Sequence, residues 1–214
     1  MHKTELHSMQ LESLCWNHVK LLKSGGMERE AEELLRYYEI HGEMLIKNGL
    51  CYPPHEVKYE QSIVAPAVNY LFQLYELTGK ILYLEEGKKQ LAVLVLFNGH
   101  QPDFHMYENA VRHWDGYWFG KYKNLGDTFP HYWSSLSGVA FREYEKITGE
   151  RSYGVKAENS LRGVLSMINS DGSASCAYVY PFMVNNVRCQ YADPWANDQD
   201  WALYYYLKEG KNYD

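Results

Sequence analysis

The feature that most limits what this chain can fold into is a self-match at an offset of 70 residues. Leu77-Thr78-Gly79, followed by Tyr83, Gly87 and Leu91, returns as Ile147-Thr148-Gly149, followed by Tyr153, Ala157 and Leu161. A Thr-Gly pair ends a helix because glycine takes the left-handed conformation just past the last turn. The apolar stripe that resumes after it predicts a second helix folding back on the first. One hairpin buries its stripe only against neighbouring hairpins, so the repeat predicts a hairpin array. A fainter echo stands at Tyr38-Glu39-Ile40-His41-Gly42. C-cap chemistry alone would account for the Thr-Gly pairs; the array reading rests on the matching residues beyond them.

Around these junctions the apolar pattern predicts further helices. Leu6, Met9, Leu14, Val19 and Leu22, flanked by Trp16 and Leu21, predict one over 4–24 that Gly25-Gly26 stops. A second is predicted over 27–47, with Leu34, Leu35, Tyr38, Ile40 and Leu45 as its apolar positions and acidic residues at its N-terminal end. Others are predicted at 61–77, with Pro66 in or near the first turn, and at 81–97, 130–147, 153–168 and 195–207. Residues 98–129 are aromatic and aperiodic, and long ordered segments of that kind are usually functional. Asp171-Gly172 predicts a turn, and the stretch about Asn185-Asn186 predicts a small β-hairpin within 174–192. The expected fold class is all-α: a single domain over 1–214 of antiparallel helical hairpins, with that one small β-hairpin.

A length of 214 residues suits one domain with a sizeable core. The formal charge of −6 has the wrong sign for gripping phosphate backbones, so no nucleic-acid partner is expected. No apolar run approaches the roughly 18 residues of a membrane helix, so no membrane association is expected. Met1-His2-Lys3-Thr4-Glu5-Leu6 lacks the apolar stretch of a secretory leader, which makes the cytoplasm the expected compartment. Cys15, Cys51, Cys176 and Cys189 show no metal-finger spacing and are expected as reduced thiols, and neither a metal nor a cofactor is expected. Aromatics make up 15% of the chain, which suits either a thick helical core or a cleft that stacks on sugar rings.

Leu74-Tyr75-Glu76-Leu77-Thr78-Gly79, with Tyr83-Leu84-Glu85 and Lys88-Lys89 after it, resembles the hairpin junction of the six-hairpin glycosidases. That superfamily of (α/α)6 toroids includes uronate-releasing glycoside hydrolases, sugar epimerases and polysaccharide lyases. Three blocks are similar to the C-terminal half of bacterial toroid proteins of this kind: residues 113–120 (HWDGYWFG), 126–133 (GDTFPHYW) and 193–200 (DPWANDQD). The resemblance covers about residues 55–207. It implies a partial (α/α) toroid and a carbohydrate-active function. Six hairpins would need on the order of 420 residues, so the chain corresponds to about half a toroid.

Residues 104–133 interleave ten aromatics with His105, Glu108, Arg112, His113, Asp115, Asp127 and His131. Rings stack on sugars, and their low dielectric raises the pKa of a neighbouring carboxylic acid, as a glycosidase needs. An aromatic helical core with solvated charges is the competing reading. Asp115, between Trp114 and Gly116, is the first candidate for a catalytic carboxyl, although Asp-Gly also makes turns. Glu60 is the candidate partner carboxylate or a favourable charge at a helix start, and Glu108 is the reserve. The substrate-binding candidates are His105, Arg112, His113, Trp114, Trp118, Asp127, His131, Tyr132, Trp133, Trp195 and Asp198. Asp198 also suits an N-cap, and the fork of Arg112 fits a uronate carboxylate.

His105, His113 and His131 support a different chemistry. Resemblance to epimerases and lyases implies His or Tyr acting as base and acid on a carbon-bound proton. Three functions therefore stand: a glycoside hydrolase acting on a uronate-containing oligosaccharide, which is favoured; a sugar epimerase or polysaccharide lyase; and a non-catalytic carbohydrate-binding remnant. An arc of about three hairpins leaves two apolar end faces, so self-association or a partner chain is expected to cover them. The first helix is expected to shield one end with Leu6, Leu14 and Leu21, leaving Glu5, Glu12 and Lys20 in solvent.

Overall fold

The computed structural model describes residues 8–49, 61–98, 127–131, 134–174, 177–180, 183–184, 186–188 and 199–209. For 8–14, 62, 199–201 and the strands it describes the backbone path alone. The fold is all-α. Its helices are α1 (Ser8–Ser24), α2 (Glu28–Asn48), α3 (Gln61–Thr78), α4 (Ile81–Val95), α5 (Ser134–Thr148), α6 (Arg151–Gly163) and α7 (Gln199–Glu209). Short strands are β1 (Asp127–His131), β2 (Ala177–Tyr180), β3 (Met183–Val184) and β4 (Val187–Arg188). The chain forms two compact units, Met1–Ala92 and Val93–Asp214.

In the first unit α1 packs on α2 and α3. Ile63 to Leu74 of α3 are buried except for the half-buried Gln73, whereas α2 buries only Ala31, Tyr38, Gly42 and Leu45. An enclosed helix and an outer, amphipathic one are the two environments a hairpin array creates. The Tyr70 hydroxyl donates to the Tyr38 carbonyl at 2.8 Å. Trp16 Nε1 donates to Glu76 at 2.7 Å, and Lys20 Nζ lies 3.4 Å from the centroid of the Trp16 ring. Glu39 on α2 accepts from both Lys80 and the Tyr83 hydroxyl. Gly42 leaves space that Leu74 and Tyr83 fill. Leu21 is 68% exposed and shields nothing, which corrects the expectation that it covers an end of the array. Leu6 lies outside the described residues, and nothing is described of the Leu14 side chain.

The second unit is built on the α5–α6 hairpin, with α7 packed on α5. Lys146 on α5 donates to Glu209 on α7 at 2.7 Å. Burial lowers the Lys146 pKa, but the Glu143 and Glu209 carboxylates outweigh it and raise the pKa above its ordinary value. Arg142, buried on α5, donates to Glu145 at 2.7 Å and to Glu158 of α6 at 3.2 Å.

The predicted repeat holds at the level of single hydrogen bonds. Thr78 Oγ1 donates to the Leu74 carbonyl at 2.6 Å and accepts from Lys80 N at 3.2 Å. Thr148 Oγ1 donates to the Tyr144 carbonyl at 2.7 Å and accepts from Glu150 N at 3.2 Å. Gly79 and Gly149, at φ +69° and +74°, each donate their amide at 2.7 Å to the carbonyl four residues back. These left-handed turns are why the hairpins require glycine there. The core repeats as well: Leu71 and Phe141, Leu74 and Tyr144, Leu91 and Leu161, Leu94 and Val164, and Phe97 and Met167 are all buried. Even Asn98 and Ile168, one offset apart, each stand in an isolated β-bridge.

Three boundaries differ from the sequence reading. Pro66 falls in the second turn of α3, where it withholds an amide from the Ser62 carbonyl. The helix predicted from Pro130 begins at Ser134, because 127–131 form a strand antiparallel to β2. The helix predicted to Ile168 ends at Gly163 and continues as one 3₁₀ turn, Val164–Met167. The β-hairpin is present as β3–β4, pairing Met183 with Arg188 and Val184 with Val187, with Asn186 at φ +63° in its turn. The Asp171 turn is also present. Its carboxylate accepts from Ser173 N at 2.9 Å and Ser173 Oγ at 2.6 Å, and these bonds hold its pKa below the usual range.

Candidate functional site

The sequence singles out residues that fall almost entirely outside the described part of the molecule. Glu60, His105, Glu108, Arg112, His113, Asp115, Trp114, Trp118, Tyr132, Trp133, Trp195 and Asp198 all lie there. Asp127 and His131 are placed, as the first and last residues of β1. Asp127 stands opposite Tyr180, Thr128 opposite Val179, and His131 opposite Ala177. Three steps along β1 thus match two along β2, so β1 carries a bulge. Pro130 lies inside it, at a position where a residue without an amide proton costs the ladder nothing.

β1 fixes the end of the aromatic, ionisable segment to the start of α5. Only residues 132–133 separate the strand from that helix, whose first residues Ser134, Ser135, Leu136 and Ser137 are all buried. The first turn of a helix is the positive end of its dipole, which favours an anionic group nearby. Pairing also brings in Tyr180, which the sequence reading passed over. Its register partner is Asp127, and residues facing each other across an antiparallel pair have Cα atoms about 4.5–5.5 Å apart. The only sequence signal for it is the alternating Tyr178-Val179-Tyr180 run, which reads equally well as plain strand.

On α3 two amides were also missed. Asn69 is 1% exposed, and among the described residues neither its Oδ1 nor its Nδ2 has a hydrogen-bond partner; one turn on, Gln73 Oε1 is likewise buried and without a partner among them. Such atoms are rare in folded chains, and each carries a desolvation penalty. In sequence, Asn69 is a single polar residue within an apolar run.

The titratable groups enclosed in the first unit are set far from neutrality. Burial pushes the Cys15 thiol up to about 12, against the lowering effect of a hydrogen bond with Tyr70. Burial, together with the nearby Cys15, raises Tyr70; burial and then the Glu39 carboxylate raise Tyr83. All three stay protonated at neutral pH, so they serve the core and are not poised as bases. No group of three or more His, Cys, Asp or Glu among the described residues is placed to hold a metal ion. No helix among them is long and apolar enough to cross a membrane.

No family model matches this sequence, and no curated protein does. Among solved structures, the chain is similar to one described as a polysaccharide lyase, at 51% identity and a TM-score of 0.73. The match covers 90% of this chain and 29% of the lyase, so the chain spans less than a third of that protein's length.

Proposed function

We propose that this chain is a helical portion of a carbohydrate-active protein that cleaves a uronate-containing polysaccharide by β-elimination. The observation that carries the reading is the 51% identity to a polysaccharide lyase over 90% of the chain. It favours elimination over the hydrolysis expected from the carboxyl pair Asp115 and Glu60. In elimination a base removes the proton on C5, next to the uronate carboxylate. The electron pair becomes the C4–C5 double bond, the C4–O bond breaks, and an acid returns a proton to the departing oxygen. In this reading Arg112 clamps and neutralises the carboxylate. His105, His113 and His131 are the candidates for the base, with pKa values near neutrality available to them. Tyr132 and Tyr180 are the candidates for the acid. The repeated hairpins are read as successive members of a partial (α/α) toroid whose ends a second copy or a partner chain covers.

Elimination and hydrolysis leave different products, and that difference is the test. Incubated with a 4-linked polyuronate, the chain should generate ultraviolet absorbance from the new conjugated double bond in step with new reducing ends. Asp115→Asn should leave that rate unchanged, whereas His113→Ala or His131→Ala should lower it at least 10²-fold at whichever position supplies the base. Reducing ends without the chromophore would restore the hydrolase reading. Retention of the polymer with neither product would identify a binding remnant.

A further inference from the structure

The register of β1 against β2 sorts the residues of this ladder by face. Partners across an antiparallel pair lie on the same face, and successive residues of a strand alternate between faces. Tyr178 and Tyr180 therefore share one face of β2, and Ala177 and Val179 share the other. Asp127 stands opposite Tyr180, so it joins the two tyrosines. Thr128 stands opposite Val179 and His131 opposite Ala177, so both fall on the second face. In an unbroken strand Asp127 and His131, four residues apart, would share a face. The bulge between Thr128 and His131 reverses the alternation and parts them.

The two faces differ in chemistry. Alanine, valine and threonine suit packing, and β1 lies against α5 and the 3₁₀ turn Val164–Met167. The other face holds two phenols and a carboxylate. β1 and β2 contain no Lys or Arg, and the bulge takes His131 to the opposite side, so among the described residues of the ladder no cation shares the face of Asp127. A carboxylate without a cation is costly to bury, which sets this face apart from a packing surface. A phenol ring offers a flat apolar surface with a polar tip. A carboxylate is an acceptor only, able to take two neighbouring hydroxyls. Together these groups match a sugar ring, and an uncharged one, because a carboxylate on the ring would meet Asp127 as a like charge.

We infer that the face of the β1–β2 ladder carrying Asp127, Tyr178 and Tyr180 binds an uncharged sugar ring adjoining the uronate that is cleaved. The inference rests on the carbohydrate reading above and deepens it. It makes the preferred substrate a mixed polymer, with uronates beside uncharged rings, and a polymer with a carboxylate on every ring the poorer fit.

Steady-state elimination by the full chain tests this with hyaluronan, whose uronates alternate with uncharged rings, and polygalacturonate, which has a carboxylate on every ring. KM should be about tenfold lower for hyaluronan. Asp127→Asn should narrow that preference to less than about threefold, raising KM for hyaluronan and lowering it for polygalacturonate. Tyr178→Ala should raise KM for hyaluronan about tenfold, and Tyr178→Phe should recover most of the loss by returning the ring. Thr128→Val, on the opposite face, should change neither KM. A preference unaltered in Asp127→Asn overturns the inference, as does Thr128→Val acting as strongly as Tyr178→Ala. Tyr178→Ala raising KM for both polymers alike, with a lowered thermal midpoint, also overturns it, since the phenol would then serve packing. Affinity electrophoresis in hyaluronan gels separates this inference from the reading beneath it. Turnover with KM and retardation indifferent to Asp127 and Tyr178 removes the ladder site and leaves the lyase reading standing. No chromophore from either polymer, with retardation of the parent chain lost in Tyr178→Ala, does the reverse. Neither chromophore nor retardation overturns both.

Discussion

The Glu145 carboxylate on α5 occupies the space in which a side chain on Gly154 of α6 would begin. From there it accepts a hydrogen bond from Arg142 at 2.7 Å. The two helices thus approach over a missing Cβ, and the ion pair lies in the gap. Gly154→Ala should displace only the mobile end of Glu145 and loosen its contact with Arg142, so stability should change by less than about 1 kcal/mol. Helix propensity alone would predict a gain for the same change. A rise in the thermal midpoint would show that the carboxylate has another place to go.

Arg142 serves two carboxylates at once, Glu145 and Glu158, with only 5% of its side chain exposed. Arg142→Met should cost about 2 kcal/mol, because it leaves the partly buried Glu145 carboxylate without its partner, while Glu158 keeps its pair with Arg162. Arg142→Lys should recover only a fraction, since one ammonium lacks the fork that reaches both acids. Urea denaturation of the three proteins orders them, and a Lys variant equal to the parent would contradict the forked geometry.

Asn69 offers a change in the opposite direction. Both polar atoms of its side chain are enclosed and have no partner among the described residues, so replacing the amide by an apolar group of similar shape removes a penalty without breaking a described bond. Asn69→Leu should raise stability by about 1–2 kcal/mol. A fall in the thermal midpoint would mean that the amide is engaged in the free protein after all.

The Cys15 thiol gives a pH dependence with a definite sign. Its ordinary value of 9.0 applies to the unfolded chain, and in the fold burial pushes it up to about 12. A raised native pKa means the folded state holds its proton more tightly. The contribution is therefore complete below pH 9.0 and disappears as pH climbs toward 12. Tyr70 and Tyr83 are shifted upward as well and act in the same direction. Urea midpoints should fall across this alkaline window, and Cys15→Ala should lower stability throughout yet decline less steeply. In the native protein the thiol should also react slowly with alkylating reagents, because little thiolate is present.

Local signals made the hairpins legible. Thr78-Gly79 and Thr148-Gly149 carry their C-cap chemistry in adjacent residues, so sequence alone locates both turns. The strand at 127–131 was not legible, because what makes it a strand is β2, some fifty residues further on. Pro130, read as the first residue of a helix, is equally at home in a bulge, and only the pairing decides. Among the candidate residues, Asp127 and His131 were singled out from their aromatic surroundings. Tyr180 was not, since its relation to Asp127 exists only across the ladder.

The twin Thr-Gly clasps also bear on how the chain reaches its native state. Each closes a turn with hydrogen bonds that span no more than four residues, so neither waits for distant segments to meet. Two hairpins of matching design then provide two equivalent starting points for folding. Damage to one clasp would reroute the process through the other and leave refolding rapid, whereas loss of both would slow it sharply.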